Sequence, residues 1–418
     1  MTSDSSSKTI RVGIIGTGSR GITCIGRQIA EQASELDLTI TAFCNRTASR
    51  MQIALDELNG VAKEAGNEGF VVSFYEDPLD LINDDRVDLI VITSPTAAHA
   101  EAAIPALKSG KKVYLDKPIA HTLEDSRAIR QAEAESNNPM IMGFTRRYET
   151  PWLKLHDIVS SGKIGDLKMM LIRAVLPYSF YFQTWHRTRA VSGGALNDKG
   201  SHYTDVFNWF GEIANSGRAT QVNAFGGRNV FIEEENAPEF CAECERDCPY
   251  RVGVAMPDTQ DQMKGAVDAS YETETDPLKR KDNCVYKSGA DIFDHASIHY
   301  QYENGIVASL FYNVYGPQAD DEETLELVGT RGRIILTRLR GEIDVVTDYG
   351  EKSHEVIHCK SDDFETSHFG ADKKLVQDIA AFARGGESPV DGKAGLEASR
   401  MILAAMQSID EGRQTVQL

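Results

Sequence analysis

The chain has 418 residues, 41% of them hydrophobic, which is more than one ordinary core needs, so two domains are expected. A formal net charge of −19 argues against nucleic acid or anionic membrane as a partner, since both would repel it. No apolar run is long enough to span a bilayer, and seven cysteines, an odd number, fit a reducing cytoplasm better than a disulfide framework.

The polar, Ser-rich start over 1–8 reads as a flexible tail and not as a secretory signal. From Thr9 the chain reads as a short apolar strand (Ile10, Val12, Ile14, Ile15). It runs into Gly16, Gly18 and Gly21, the G-x-G-x-x-G spacing, and then into helical spacing through GITCIGRQIAEQ. In that order each glycine has its own use. Gly16 permits the tight turn, Gly18 lets the backbone approach a pyrophosphate, and Gly21 lets the helix pack close to the strand. A helix N-terminus there presents free N–H groups to phosphate, so Thr17, Ser19 and Arg20 join the expected dinucleotide contacts.

Strand and helix then alternate. DLTITAFCN, FVVSF, DLIVITS, KKVYLD and PMIMGF read as strands, with TASRMQIALDELNGVAKEAG, TAAHAEAAIPALKSG and TLEDSRAIRQAEAES as helices between them. This predicts parallel pairing with right-handed crossovers, a doubly wound sheet. Pro105 predicts a kink or an early stop in its helix, and Thr122 with Asp125 resembles a capping box with Asp in place of Glu. The second strand ends at Asn45 and Arg46, where an acidic residue would bind a ribose 2′-hydroxyl. Asn45 can still meet that hydroxyl, and Arg46 can pair with a 2′-phosphate. The pair inclines the reading from NAD towards NADP, with a solvated Arg46 at the start of the next helix as the alternative.

Four later stretches are SPTAAHAE (94–101), DKP (116–118), GFTRRY (143–148) and GGALNDKGSHYTD (193–205). In this order they make the chain resemble the Gfo/Idh/MocA oxidoreductase family, and the resemblance continues through SPVDGKAGLEASRMILAAMQSIDEG near the end. It implies a Rossmann domain followed by an α/β domain with an open, mainly antiparallel sheet that often forms the oligomer contact. It also implies bound NAD or NADP and oxidation or reduction of a sugar, cyclitol or related polyol. The expected division is a dinucleotide-binding domain over 1–147 and a substrate-binding and oligomerisation domain over 148–418. Asp116-Lys117-Pro118 stands where the family usually has Glu-Lys-Pro.

Hydride transfer from a carbinol carbon needs that carbon held against the nicotinamide, an acceptor for the hydroxyl proton and a positive neighbour for the alkoxide. Lys117 follows a strand, where the ends of a parallel sheet open into a crevice. Asp198 and His202, four apart at the mouth of the helix SHYTDVFNWF, can share a face. By spacing alone the plainer reading is favoured, Asp198 as a turn residue and His202 as a capping or buried helix residue. The resemblance assigns Lys117, Asp198 and His202 to catalysis. His202 is the expected acid/base, with Asp198 orienting the imidazole, stabilising its charged form or holding a substrate hydroxyl. Ser94, Pro95, Thr96, His99 and Asp116 are expected at the cofactor. Arg147 and Tyr148, and Trp185, His186 and Arg187 in the run FYFQTWHRTR, are expected at the substrate, because aromatic faces suit the C–H faces of a sugar ring. One of Arg146 and Arg147 is expected in a structural ion pair.

In the second half ETPWLKLHDIVSSG reads as a helix and DLKMMLIRAVL as a strand. Asn304-Gly305 marks a hairpin, ETLELVGT, GRIILTRL, GEIDVVTD and SHEVIHC continue as a meander, and 373–384 and 396–410 close the chain as helices. His295 and His299 share one strand face. They read as half-exposed strand histidines, with metal binding as the alternative. An insertion over about 233–290 holds Cys241, Cys244, Cys248 and Cys284. The spacing C-x2-C-x3-C with a distant fourth suits a structural zinc held by four thiolates. Iron–sulfur spacing differs, and reduced loop thiols are the other reading. Cys24, Cys44 and Cys359 read as small core residues.

These readings converge on a cytoplasmic NAD(P)-dependent oxidoreductase acting on a CH–OH group of a sugar, cyclitol or glycoside, as a homo-oligomer (dimer or tetramer). A glycosidase or lyase with transient redox on a retained cofactor, and a non-catalytic cofactor-bound regulatory protein, stay as alternatives.

Overall fold

The structure, a computed structural model, describes residues 9–136, 138–251, 280–347, 353–359 and 367–418. The expected tail over 1–8 and the middle of the insertion, 252–279, lie outside the described residues.

β1 (Ile10–Ile15) is buried apart from Arg11, as a continuous apolar strand covered on both faces must be. It sits inside a parallel sheet with β2 (Leu38–Cys44), β3 (Ser73–Tyr75), β4 (Leu89–Ile92), β5 (Lys112–Leu115) and β6 (Met140–Met142). The order is β3-β2-β1-β4-β5-β6. The order in which strands are added therefore reverses between β1 and β4, and a crevice opens there beyond the strand ends. On one face, Met51, Ala54 and Leu58 of the helix Ala48–Glu64 join Leu375, Ile379 and Phe382 of the helix Ala371–Ala383. On the other, the helices His99–Lys108 and Leu123–Ser136 supply Ala103, Leu107 and Ile129. The chain thus returns near its end to complete the first core.

The second sheet contains β7 (Leu167–Val175), β8 (Ala219–Gly227), β9 (His295–Tyr302), β10 (Val307–Asn313), β11 (Glu323–Gly329), β12 (Gly332–Thr337), β13 (Glu342–Thr347), β14 (Ser353–His358) and β15 (Val416–Gln417). Its order is β14-β13-β12-β11-β7-β10-β9-β8-β15. β7 and β10 pair in parallel, and the other pairings are antiparallel. The inner face packs on the helices Gly194–Ile213 and Gly392–Asp410. Those helices lie close at Gly200, where an added Cβ would come within 2.6 Å of Ile402 Cδ1, and Thr204 Oγ1 donates to the Ala398 carbonyl at 2.9 Å. The outer face leaves Met169, Leu171, Phe225, Val307 and Phe311 exposed.

Several local expectations change. The helix after the glycine turn opens as a π-helix over Arg20–Gly26, with Cys24 N donating five residues back to Ser19 O at 3.0 Å. Pro105 does not stop its helix, which runs one more turn to Lys108. Thr122 accepts from Asp125 N at 3.1 Å, but its hydroxyl donates to Asp125 Oδ2 at 2.8 Å, so the shorter acid does not reach back to the cap's N–H. A short helix, Pro78–Ile82, is capped by Asp77 and opened by its own proline. The helix bearing His202 begins at Gly194, out of two glycines with φ of 77° and 88°, and not at Ser201.

Candidate active site

Lys117 leaves the end of β5 and points its ammonium at the helix Gly194–Ile213. Its Nζ donates to Asp198 Oδ1 at 2.9 Å and to the Asp198 carbonyl at 3.2 Å. Asp198 Oδ2 accepts from the Tyr181 hydroxyl at 2.5 Å. Burial opposes charge on Asp198, yet Lys117, with His186 and Tyr181, holds its carboxyl down at about 2. Asp198 is therefore a carboxylate with both oxygens engaged.

His202 lies one turn further along the same helix, buried, with the edge of its ring towards Phe144 at 6.2 Å. Its Nδ1 has no hydrogen-bond partner. Burial, then the positive charges of Lys117, Arg146, Lys199 and His368, push the imidazole well below its usual value. Asp198 does not orient it: the carboxylate expected to do so is taken by Lys117 and Tyr181. Sequence reasoning did not single out Tyr181, and its one signal is its place in the aromatic run. Lys199 was also passed over. Its buried Nζ sits 3.7 Å from Glu323 Oε2, and burial beside Arg146 pushes the ammonium down.

The aromatic run lies against this pair. Tyr181 stacks on Phe180 at 4.6 Å and meets the edge of His186 at 4.9 Å. Trp185 stacks on His186 at 3.8 Å, and His186 Nδ1 is 2.8 Å from Thr184 Oγ1. Burial lowers His186 to about 4. Arg187 is buried and donates into its own loop, to the Thr184 carbonyl at 3.3 Å. From behind, the Cys-containing insertion holds the run, with Gln183 Nε2 donating to the Tyr250 carbonyl at 2.7 Å.

The crevice at the switch point fits a dinucleotide. Gly16 has φ 97°, and a Cβ there would lie 2.6 Å from Ser94 N. At Gly21 a Cβ would strike the Gly16 carbonyl oxygen and, at 2.5 Å, Thr93 Oγ1. Ile22 N donates to Gly18 O at 2.9 Å, which starts the helix. Ser19 is half-buried, and Thr96 is buried beside an exposed Pro95. Ser94 Oγ is buried with no partner, an orphan that a ligand hydroxyl or phosphate oxygen would satisfy.

Other expected contacts are engaged inside the protein. Asn45 Nδ2 donates to Thr17 Oγ1 at 2.7 Å, and Asn45 Oδ1 accepts from Thr47 N at 2.9 Å, so Asn45 braces the turn; Arg46 is exposed. Arg20 faces Asp116, Asp372 and Tyr114 and not a phosphate, and Asp116, expected at the cofactor, has one oxygen taken by Arg20 and the other by the Lys117 backbone N–H. His99 is buried, with Nδ1 and Nε2 each 2.9 Å from a backbone carbonyl, those of Pro118 and Ser94, so it ties two loops together. Arg147 forms a two-bond fork with Asp205 at 3.0 and 2.8 Å, and Arg146 bonds Glu149 and Glu323, so both arginines and not one are structural pairs. Tyr148 belongs to the first core, its hydroxyl buried without a partner. His295 bonds Asp294 and His299 bonds Ser309, so the two histidines have separate partners.

The four insertion cysteines line one cavity of about 190 Å³. They do not form a compact cage. Among the described residues, three potential ligand atoms come within 4.8 Å of one another at Cys24, His368 and Asp372, not at these cysteines. In that trio His368 and Asp372 already bond each other and Arg20 holds the second carboxylate oxygen. The zinc expected of the spacing is not supported. Cys24, Cys44 and Cys359 are buried, as core residues are. Among the described residues no helix is long and apolar enough to cross a membrane.

Comparison with known proteins gives two family matches. A model described as "oxidoreductase family, NAD-binding Rossmann fold", of the Gfo/Idh/MocA type, matches residues 10–144, and its "C-terminal alpha/beta domain" partner matches residues 157–418. The chain is 35% identical over 163 residues to an inositol 2-dehydrogenase of Salmonella paratyphi B, covering 39% of this chain. Over that stretch it spans about half the length of the relative, 45%. It is 24% identical over 410 residues to a myo-inositol 2-dehydrogenase of Thermotoga maritima, covering 97% of each. Among solved structures, a levoglucosan dehydrogenase in complex with NADH and levoglucosan shares the fold, with a TM-score of 0.71 at 18% identity, covering 98% of this chain and 99% of that one.

Proposed function

The chain belongs to the Gfo/Idh/MocA oxidoreductase family, and from that premise we propose that it is an NAD(P)-dependent dehydrogenase acting on a ring hydroxyl of a cyclitol or sugar. The observation that carries the reading is the Lys117 ammonium 2.9 Å from Asp198, with the buried His202 one turn beyond Asp198 on the same helix. A bound nicotinamide would supply the hydride acceptor. Thr17, Gly18 and Ser19 would hold the diphosphate through backbone N–H groups, and Ser94 and Thr96 the adjoining ribose. Arg46, exposed where β2 ends with no acidic residue at 45 or 46, favours NADP over NAD.

In the oxidative direction His202 accepts the hydroxyl proton, and being neutral it is in the form that can. Lys117 stabilises the developing alkoxide. Asp198 keeps the ammonium charged and in place, and Tyr181 fixes Asp198. Trp185 and His186 offer ring faces to the C–H face of a cyclic substrate. The names of the relatives favour cyclitols first and sugars second, and no observation favours the lyase, glycosidase or regulatory readings. A cytoplasmic location fits an odd count of seven cysteines. The exposed apolar face of the second sheet suits a second copy of the chain.

The test is a panel of cyclitols, free sugars and glycosides offered with NAD and with NADP, read as reduced-cofactor absorbance. Formation of reduced cofactor with a cyclitol or sugar, lost in Lys117→Met, is expected. Binding of neither cofactor sinks the reading.

A further inference from the structure

Arg20 lies inside the G-x-G-x-x-G turn but does not face the crevice as a phosphate ligand would. Its Nε donates to Asp116 Oδ2 at 2.6 Å, its Nη1 to Asp372 Oδ1 at 2.5 Å, and its Nη2 to the Tyr114 hydroxyl at 3.1 Å. Both carboxylates are buried, Asp116 at 5% and Asp372 at 2% exposure. Flanked by two carboxylates, the guanidinium has no net positive charge left to offer a diphosphate. Asp116 immediately precedes Lys117, and its second oxygen accepts the Lys117 backbone N–H at 2.8 Å. At the end of β6, Gly143 leaves the space this requires, since a Cβ there would collide with Asp116 Oδ1 and the Tyr114 hydroxyl.

We propose that Arg20 is a positioning residue for Lys117: through Asp116 it joins the cofactor turn to the segment that aims the ammonium at Asp198. The inference rests on the dehydrogenase reading only for the use to which Lys117 is put. The linkage is built from this chain's own ion pairs. Three diverging nitrogens meet Asp116, Asp372 and the Tyr114 hydroxyl, a geometry the single nitrogen of a lysine does not reproduce.

The experiment uses the full chain and the variants Arg20→Gln, Arg20→Lys, Asp116→Asn and Arg20→Gln with Asp116→Asn. Two quantities are read: acetylation of the Lys117 amine by acetic anhydride, followed by mass spectrometry, and NADH affinity from cofactor fluorescence. Each single variant is expected to acetylate Lys117 about fivefold faster or more, the double variant no faster than the singles, and NADH to bind within about fivefold of the parent. Acetylation that stays below that rise, a double variant whose effects add, or NADH binding weakened further than that, overturns the proposal. If Arg20→Gln fails to fold, Asp116→Asn decides on the same two readouts. Failure of the parent chain to bind either NADH or NADPH would sink the dehydrogenase reading, and the acetylation comparison would still decide the linkage.

Discussion

Both carboxylate oxygens of Asp198 are taken, one by Lys117 and one by Tyr181, so in the proposed reaction its influence would run through the lysine. Tyr181→Phe should leave one buried oxygen without a donor, raise the Asp198 carboxyl and loosen Lys117. We expect kcat to fall about tenfold with the cofactor Kd unchanged, the size of effect for one misaligned acid–base or electrostatic partner. An unchanged kcat would show that Lys117 is held without Tyr181. His202 makes a second prediction. Burial and neighbouring positive charges keep it neutral, so the acid limb of kcat/KM for oxidation should lie below the usual histidine value of ~6.5. Lys199→Met removes one of those charges and should move the limb to higher pH. A limb that stays in place would mean that His202 is not the group titrating. These residue roles were only partly legible. The family resemblance, and not spacing, pointed to Lys117, Asp198 and His202, and nothing near Arg20 and Arg147 in the sequence betrays their partners Asp372 and Asp205, which lie 352 and 58 positions away. A sequence shows a charge readily and its distant counter-charge hardly at all.

The glycine turn decides whether the cofactor element forms. Gly21→Ala places a methyl group on the Gly16 carbonyl oxygen and on Thr93 Oγ1, and overpacking of this kind costs about 1–3 kcal/mol. We expect a lower unfolding midpoint together with a loss of NADH binding larger than the stability change alone explains. Normal NADH affinity would place the diphosphate elsewhere. At this scale most of the fold could be read in advance. Buried parallel strands showed as apolar runs, and Asn304-Gly305 is a true hairpin turn, with Gly305 at φ 87°. What could not be read was geometry finer than periodicity. A π-turn over Arg20–Gly26 and an α-turn carry nearly the same apolar spacing. The pair Gly193-Gly194 reads as a loop although it opens the 20-residue helix that carries Asp198 and His202.

The whole molecule has two properties that follow from how these parts sum. One is its response to acid. His202 and His186 are held below ~6.5 when folded, so the unfolded chain takes up protons that the folded chain refuses as pH falls through that value. The contribution of these two histidines is therefore complete above ~6.5 and declines below it, His186 contributing down to its folded value of about 4, at ~1.4 kcal/mol per pH unit for each such group, while Glu322, pushed up to about 7 by burial beside Glu323, offsets part of the loss. Asp198 and Glu323, each held at about 2, act in a lower window, their contribution being present above ~4 and lost as pH falls through the folded value. Urea unfolding of the parent and of His186→Gln isolates the contribution of this histidine: the parent should lose stability relative to the variant as pH falls from ~6.5 to ~5, and a constant difference would contradict it.

The other property is assembly. β7, β8 and β10 present Met169, Leu171, Phe225, Val307 and Phe311 to the outside, with exposures of 37% to 55%. The pairings Val307↔Met169 and Phe311↔Ser297↔Phe225 put them on one continuous face. An acidic chain of charge −19 would need a reason to leave this apolar patch uncharged, and the proposed second copy of the same sheet would supply it, since a two-fold contact lets one surface serve both partners. Phe311→Arg should then set like charges against each other across the two-fold axis and yield a monomer that still binds NADH. Sedimentation of the parent and the variant decides: a parent that is already monomeric at micromolar concentration, or a variant with unchanged mass, would leave this face without a partner of its own kind.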